Sequence, residues 1–388
     1  MLEKALVGSK AYYRWIFFLL AVISVGVLAY IRQFNLGLGV TGMSRDVSFG
    51  FYIGQFTYFV GVAASAVMVV LPYYLHNYKR FGKITILGEF LAIPAVIMCV
   101  LFIFVDVGQP IRITNVLLHP TLNAIVFYDV VVLNGYLMLN LIIGWYMLSS
   151  EARTVAPPKW LKILIYISIP WAVSIHTVTA FLYCGLPGRH FWLTAITAAR
   201  FLASAFASGP AFLVILALLV RRCSKFDPGQ RAIDGILNII SYAMLINLFF
   251  IGLELFTAFY SGIPAEKNSF IYLFAGLDGY HKLVPVMWTS MILAFTSLAA
   301  LLTPAVRKNE NMLIAACLGI HVALWLDKGF GFVIGGFIPN PFDRVTEYWP
   351  TINELLVTAG VWAIGFLVLS ILYRIAITVK EQSVSTDH

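Results

Sequence analysis

Glu89, Asp129, His176, Arg200, Glu254 and Asp327 stand inside long apolar stretches, and Asp106 and Arg112 lie just past one of them. A charge in hydrocarbon costs at least ~2.5 kcal/mol on insertion scales, so these residues are candidates for chemistry. Imidazole and carboxylate are proton-handling groups. A quinol suits them: it enters from the bilayer, its two oxygens need polar partners, and its oxidation releases two protons. His176 is the expected acceptor of one proton, and Asp129 the group that orients it or takes the proton itself. The chain is 15% aromatic, enough to wall such a ring. The bland readings stay open. His176 can bond across helices, Asp129 can pair with Arg200, and Asp106 can clamp a loop through Arg112. Glu254 and Asp327 read as structural or pore-lining.

These residues need helices to hold them. Of 388 residues, 61% are apolar and 11% charged, against a soluble norm of about 25% charged. Lipid replaces the core, the backbone must satisfy its own hydrogen bonds, and helices follow. The expected fold is an all-α integral membrane protein, one polytopic domain over 1–388. About ten spans are expected, at 12–31, 49–76, 84–105, 124–148, 161–183, 193–220, 232–260, 280–303, 312–332 and 354–377. The first stretch is long and lacks a small-x-small cleavage site, so it reads as a retained helix. Most Lys and Arg lie at the N-terminus, in 77–83, around Arg153 and Lys159, in 221–231, at Arg307-Lys308 and near the C-terminus. The positive-inside rule then places both termini in the cytoplasm of a cell-membrane protein. The loops 32–48, 106–123, 261–279 and 333–353 face outward and offer a docking surface.

Counting residues from the ends at 1.5 Å each puts Asp129, His176, Arg200, Glu254 and Asp327 in the outer half. Glu89 alone lies nearer the cytoplasm. That distribution favours local chemistry at the outer surface. Tyr52 and Gln55 share the depth and join the quinone-binding candidates with Arg200.

Other classes fit less well. The charge of +8 is spread over loops without interleaved aromatics, so nucleic acid is not expected. Cys99, Cys184, Cys223 and Cys317 form no CxxC, and no metal site is expected. Haem would need paired histidines. Of His76, His119, His176, His190, His281, His321 and His388, only His176 and His321 fall clearly within spans. An ion-translocating role would use Glu89, Glu254 and Asp327 as a proton pathway. A secondary transporter would show matched broken helices, and Pro94, Pro170, Pro210 and Pro285 are the residues able to break them.

Asp106-Val107-Gly108-Gln109-Pro110-Ile111-Arg112 resembles the D-x-G-x-P-x-R element of the NrfD/PsrC family of quinone-linked membrane subunits. Tyr128–Tyr136 resembles that family's fourth-helix segment. The stretch from Pro170 to Gly209 resembles the ten-helix branch containing DsrP of the DsrMKJOP complex of sulfate reducers, and HmeB of an archaeal menaquinol-oxidising complex. The resemblance implies a subunit that reacts with menaquinone or menaquinol within a menaquinol oxidoreductase complex and is not catalytic alone, with no haem or iron–sulfur cluster of its own. It carries over Asp106, Arg112, Asp129 and His176. It implies a ferredoxin-like, DsrO-like iron–sulfur partner outside, with a DsrJ-like multihaem cytochrome. A DsrM-like membrane cytochrome b and a DsrK-like cytoplasmic iron–sulfur protein complete the set. It also implies two four-helix bundles, 49–183 and 193–332, with 12–31 and 354–377 peripheral.

Overall fold

The computed structural model describes residue 3, residues 7–75 and residues 78–386. His76, Asn77 and His388 lie outside them. Ten helices are long and apolar enough to cross a membrane: α1 Lys10–Leu36, α2 Phe51–Tyr74, α3 Gly82–Asp106, α4 Ile125–Ala152, α5 Lys159–Cys184, α6 Ile196–Cys223, α7 Gln230–Ser261, α8 Val284–Leu302, α9 Glu310–Phe337 and α10 Ile352–Gln382. No β-strand forms among the described residues. The expected spans all appear, with ends shifted by a few residues. The loop expected at 261–279 differs, because Pro264–Phe274 folds as a short helix with proline in its first turn.

Helix direction alternates along the chain. The connections 37–50, 107–124, 185–195, 262–283 and 338–351 therefore gather at one end, the loop-rich face. Both described chain ends lie towards the other, the terminal face. In α1 17% of the apolar window is buried, against 78% in α3 and α6, so α1 lies outermost. It packs on α10, which also covers α3 and α4. The α1–α10 crossing depends on two glycines. A Cβ on Gly26 would stand 2.6 Å from Gly360 Cα, so only glycine permits this approach.

None of the four prolines able to break a helix does so. α3, α5 and α6 continue through Pro94, Pro170 and Pro210, and Pro285 opens α8 where its missing N–H is no loss. The backbone is irregular in α2, where Ala64–Ala66 tightens to a 3-10 turn, and in α9, where Asp327–Ile334 winds as a π-helix. π-Helical segments are rare and often mark functional sites.

The loops on the loop-rich face are tied together. Asp46 accepts from Asn340 Nδ2 at 3.2 Å and Thr346 Oγ1 at 2.9 Å. Arg189 donates to the carbonyls of Phe337 and Asp46. The bonds from Thr346 and Asn340 hold the Asp46 carboxyl below the ordinary carboxylate value.

Candidate functional site

The candidates separate into distinct clusters. Asp129 lies one turn into α4, and His176 about 12 Å from the loop-rich end of α5. Asp129 is buried, and its Oδ1 accepts from Thr179 Oγ1 at 2.7 Å. Thr179 sits one turn beyond Ile175, whose carbonyl it also bonds. No hydrogen bond joins Asp129 to His176, so of the two expected roles for Asp129 the structure does not show the orienting one. His176 is 0% exposed, and neither ring nitrogen has a hydrogen-bond partner among the described residues. The bland reading of a cross-helix bond is therefore not what the structure shows. Thr57 of α2 and Tyr183 of α5 hydrogen-bond each other.

Arg200 does not pair with Asp129. It pairs with Glu254 of α7, and its other terminal nitrogen lies 2.6 and 2.8 Å from the two Asp327 oxygens of α9. The three side chains are at most 8% exposed. Depth along the membrane normal put these groups level with Asp129, but the rotation of α6 turns Arg200 towards α7 and α9. Beside them is Lys328, missing from the sequence candidates. It is 3% exposed, 3.4 Å from the Phe201 carbonyl oxygen, with its ammonium 4.6 Å from the Phe201 ring centre. The signal was present: an aspartate and a lysine adjoin inside an apolar run. Gly61 of α2 borders this ammonium, and a Cβ there would be 3.4 Å from Lys328 Nζ and 3.3 Å from Ser208 Oγ.

A third cluster joins α1, α2, α3 and α10. Tyr52 donates to Gln33 Oε1 at 2.7 Å, and Gln33 Nε2 donates to the Val105 carbonyl at 2.6 Å. Asp106 follows Val105, and its Oδ1 is buried without a partner. No ion pair joins Asp106 to Arg112, which is exposed on the loop-rich face, so the bland reading of a loop clamp is not what the structure shows. Gln55, fully buried, accepts at Oε1 from the indoles of Trp325 at 2.9 Å and Trp362 at 3.1 Å. Two donors on one atom fix the amide orientation, and Nε2 is left without a partner. Tyr52 and Gln55 thus bond towards α1, α9 and α10, while Asp129 and His176 lie on α4 and α5.

Two further features lie deeper. His321 bonds Tyr58 and stacks on Phe212. Glu89, 3% exposed, lines a 250 Å³ crevice with Tyr74, Thr85, Met147 and Lys380. Lys380 pairs with Glu151 at 2.6 Å, at the terminal end of α4 and α10. Among the described residues no group of His, Cys, Asp and Glu is arranged to hold a metal ion.

His176 thus presents an unpaired ring on α5, and Thr179, which holds Asp129 of α4, stands about one turn further along the same helix. Comparisons with known proteins give the chain its relatives. It is 22% identical to one of the subunits of selenate reductase from Mesobacillus selenatarsenatis, over 94% of each chain. It is 21% identical to the Hdr-like menaquinol oxidoreductase integral membrane subunit of Archaeoglobus fulgidus, over 97% of this chain and 96% of that one. It is 22% identical to the menaquinone reductase integral membrane subunit of Nitratidesulfovibrio vulgaris, over 93% and 90%. Residues 39–338, which run from the loop after α1 to the end of α9, match the family model described as polysulphide reductase, NrfD, and the chain belongs to that family.

Proposed function

We propose that this chain is the quinone-reactive membrane subunit of an oxidoreductase complex. It exchanges electrons between menaquinol or menaquinone and an iron–sulfur partner subunit docked on the loop-rich face. One observation carries the reading: both nitrogens of His176 are buried without partners. A neutral imidazole offers one donor and one acceptor, and leaving both unmet costs about 1–3 kcal/mol for each group. A quinol hydroxyl can donate to one nitrogen, and a quinone oxygen can accept from the other. Asp129, held by Thr179 alone, has acceptor capacity to spare for a second proton. The ligand supplies the two-electron chemistry, and these residues bind it, orient it and take its protons. Tyr52, Asp106 and Arg112 belong in this reading to the rim of the same face, and Gln55 and Arg200 to the walls between helices.

Relatives named for menaquinol and menaquinone support the ligand class. The loop-rich face is then extracytoplasmic and the termini cytoplasmic. The finer placement, beside DsrP and HmeB in a sulfate-reduction complex with DsrO-, DsrJ-, DsrM- and DsrK-like partners, rests on the motifs Asp106–Arg112 and Pro170–Gly209. So does the division into bundles 49–183 and 193–332. The test is menaquinol oxidation by the intact complex with His176→Ala and with Asp129→Asn. Both are expected to fall at least ~100-fold, the typical contribution of a positioned proton acceptor. Full oxidation in both would overturn the site.

A second reading is favoured by the Glu89 crevice: proton uptake from the terminal face, coupled to the redox step. Glu89→Gln should then lower the proton-to-electron ratio and leave quinone binding intact. An unchanged ratio would reject it.

A further inference from the structure

A groove of 410 Å³ runs along the lipid-facing side of the molecule where α1 and α10 meet α9 and α2. Half of its lining residues are aromatic, among them Trp15, Phe18, Trp325, Trp362 and Phe366, and Thr358 lines it too. α1 and the whole α10 wall lie outside the part of the chain that matches the family model, residues 39–338. The groove is therefore made largely by helices that flank the family core.

Hydrogen bonding points to what the groove takes. The three indole N–H groups are engaged: Trp15 donates to Ser370 Oγ at 3.0 Å, and Trp325 and Trp362 donate to Gln55. Thr358 is the exception. It is 7% exposed, and its hydroxyl is buried without a partner. A threonine inside a membrane helix has an easy solution, the carbonyl one turn back. Thr57, Thr85, Thr177, Thr289 and Thr378 all use it. Thr358 does not. Behind the two tryptophans, the Gln55 amide nitrogen is a second donor without an acceptor. What is missing around this wall is an acceptor. An acyl chain offers none. A flat, lipid-soluble molecule whose polar atoms are carbonyl oxygens offers both the acceptor and a face for the aromatic walls.

We infer that this groove is a lateral quinone-binding site, separate from His176, in which the Thr358 hydroxyl donates to a quinone carbonyl. Thr358 lies about 9 Å below the loop-rich end of α10. The ring therefore sits in the outer third of the bilayer while its tail runs down the groove towards Trp15 and Phe366. The inference rests on the reading of this chain as a quinone protein, and adds a second site to it.

The test uses the intact complex in phospholipid nanodiscs, labelled with an azido-substituted naphthoquinone and mapped by mass spectrometry of its peptides. The wild type should be labelled on α10 around Thr358–Trp362, on α1 around Trp15–Leu19, and separately on α4 and α5. Ala359→Phe fills the groove from an exposed position. It should remove the α1 and α10 labels and spare those on α4 and α5. Thr358→Val keeps the shape and loses no existing bond. At subsaturating probe it should lower the α1 and α10 labels by about threefold to tenfold, the worth of one hydrogen bond. Labels on α4 and α5 alone would overturn the groove and leave the quinone reading standing. So would α1 and α10 labels indifferent to both variants, which would mark partitioning from lipid. No specific label anywhere would overturn both.

Discussion

Replacing Arg200 by methionine tests the charge cluster of α6, α7 and α9. The side chains involved are at most 8% exposed, so solvent screens little. In the wild type Arg200 and Lys328 balance Glu254 and Asp327. Arg200→Met leaves, among the described residues, Lys328 beside two carboxylates and so one of them uncompensated. Breaking a buried pair in this way costs about 3–5 kcal/mol. Proton uptake caps the loss, since neutralising an ordinary glutamate at pH 7 costs about 4 kcal/mol. Adding Glu254→Gln removes the stranded charge. The double variant should then lie only about 1–2 kcal/mol below wild type, the remainder being lost hydrogen bonds. The assay is unfolding of the purified protein in mild detergent titrated with a denaturing one, read as a double-mutant cycle. A loss below about 1 kcal/mol for Arg200→Met would show that no buried carboxylate depends on Arg200. Strictly additive losses would mean that Arg200 and Glu254 do not share a charge balance.

Two further outcomes follow from the geometry. Gly360→Leu places a Cβ 2.8 Å from Gly26 Cα, where backbone cannot yield. α1 should be pushed off α10 at a cost of about 1–3 kcal/mol, seen as faster proteolysis of the N-terminal helix, and unchanged proteolysis would show that the crossing tolerates a side chain. Asp46 ties 340–346 to the loop after α1. Its carboxyl is held below the ordinary value, so the tie is at full strength above about pH 4 and is lost as pH falls through the lowered value. Hydrogen exchange of 340–346, corrected for intrinsic rates, should rise below pH 4 in the wild type, while Asp46→Asn should be fast already at pH 6. Equal protection in the two proteins at pH 6 would show that Asp46 does not hold this loop.

Hydropathy and length were enough to read the ten spans, because lipid leaves a spanning backbone few alternatives to a helix. Depth was legible as well: counting residues from helix ends put Asp129, His176, Arg200, Glu254 and Asp327 in one half of the molecule. Depth is one coordinate of three. The rotation of each helix and the identity of its neighbours come from packing, so Arg200 was placed with Asp129 when it faces Glu254 and Asp327. Gln55 and Tyr52 were selected for depth, but their bonding partners on α1, α9 and α10 are set by the Gly26–Gly360 crossing and the path of α10. Lys328 is legible only as a charge beside Asp327, since one lysine hardly changes the hydropathy of an apolar run. The π-helix that positions it leaves no sequence period to find. His176 was readable as a residue out of place in hydrocarbon. That both its nitrogens would lack partners was a fact of three-dimensional packing.

If His176 holds a quinone, removing its ring releases that quinone. The most direct measurement is the bound menaquinone of the intact complex, purified in mild detergent and extracted, with a His176→Ala complex prepared in parallel and the lateral groove closed by Ala359→Phe in both. Quinone is expected in the first and should be lost from the second. Equal quinone in both, with normal menaquinol oxidation, would contradict it and make His176 a packing residue.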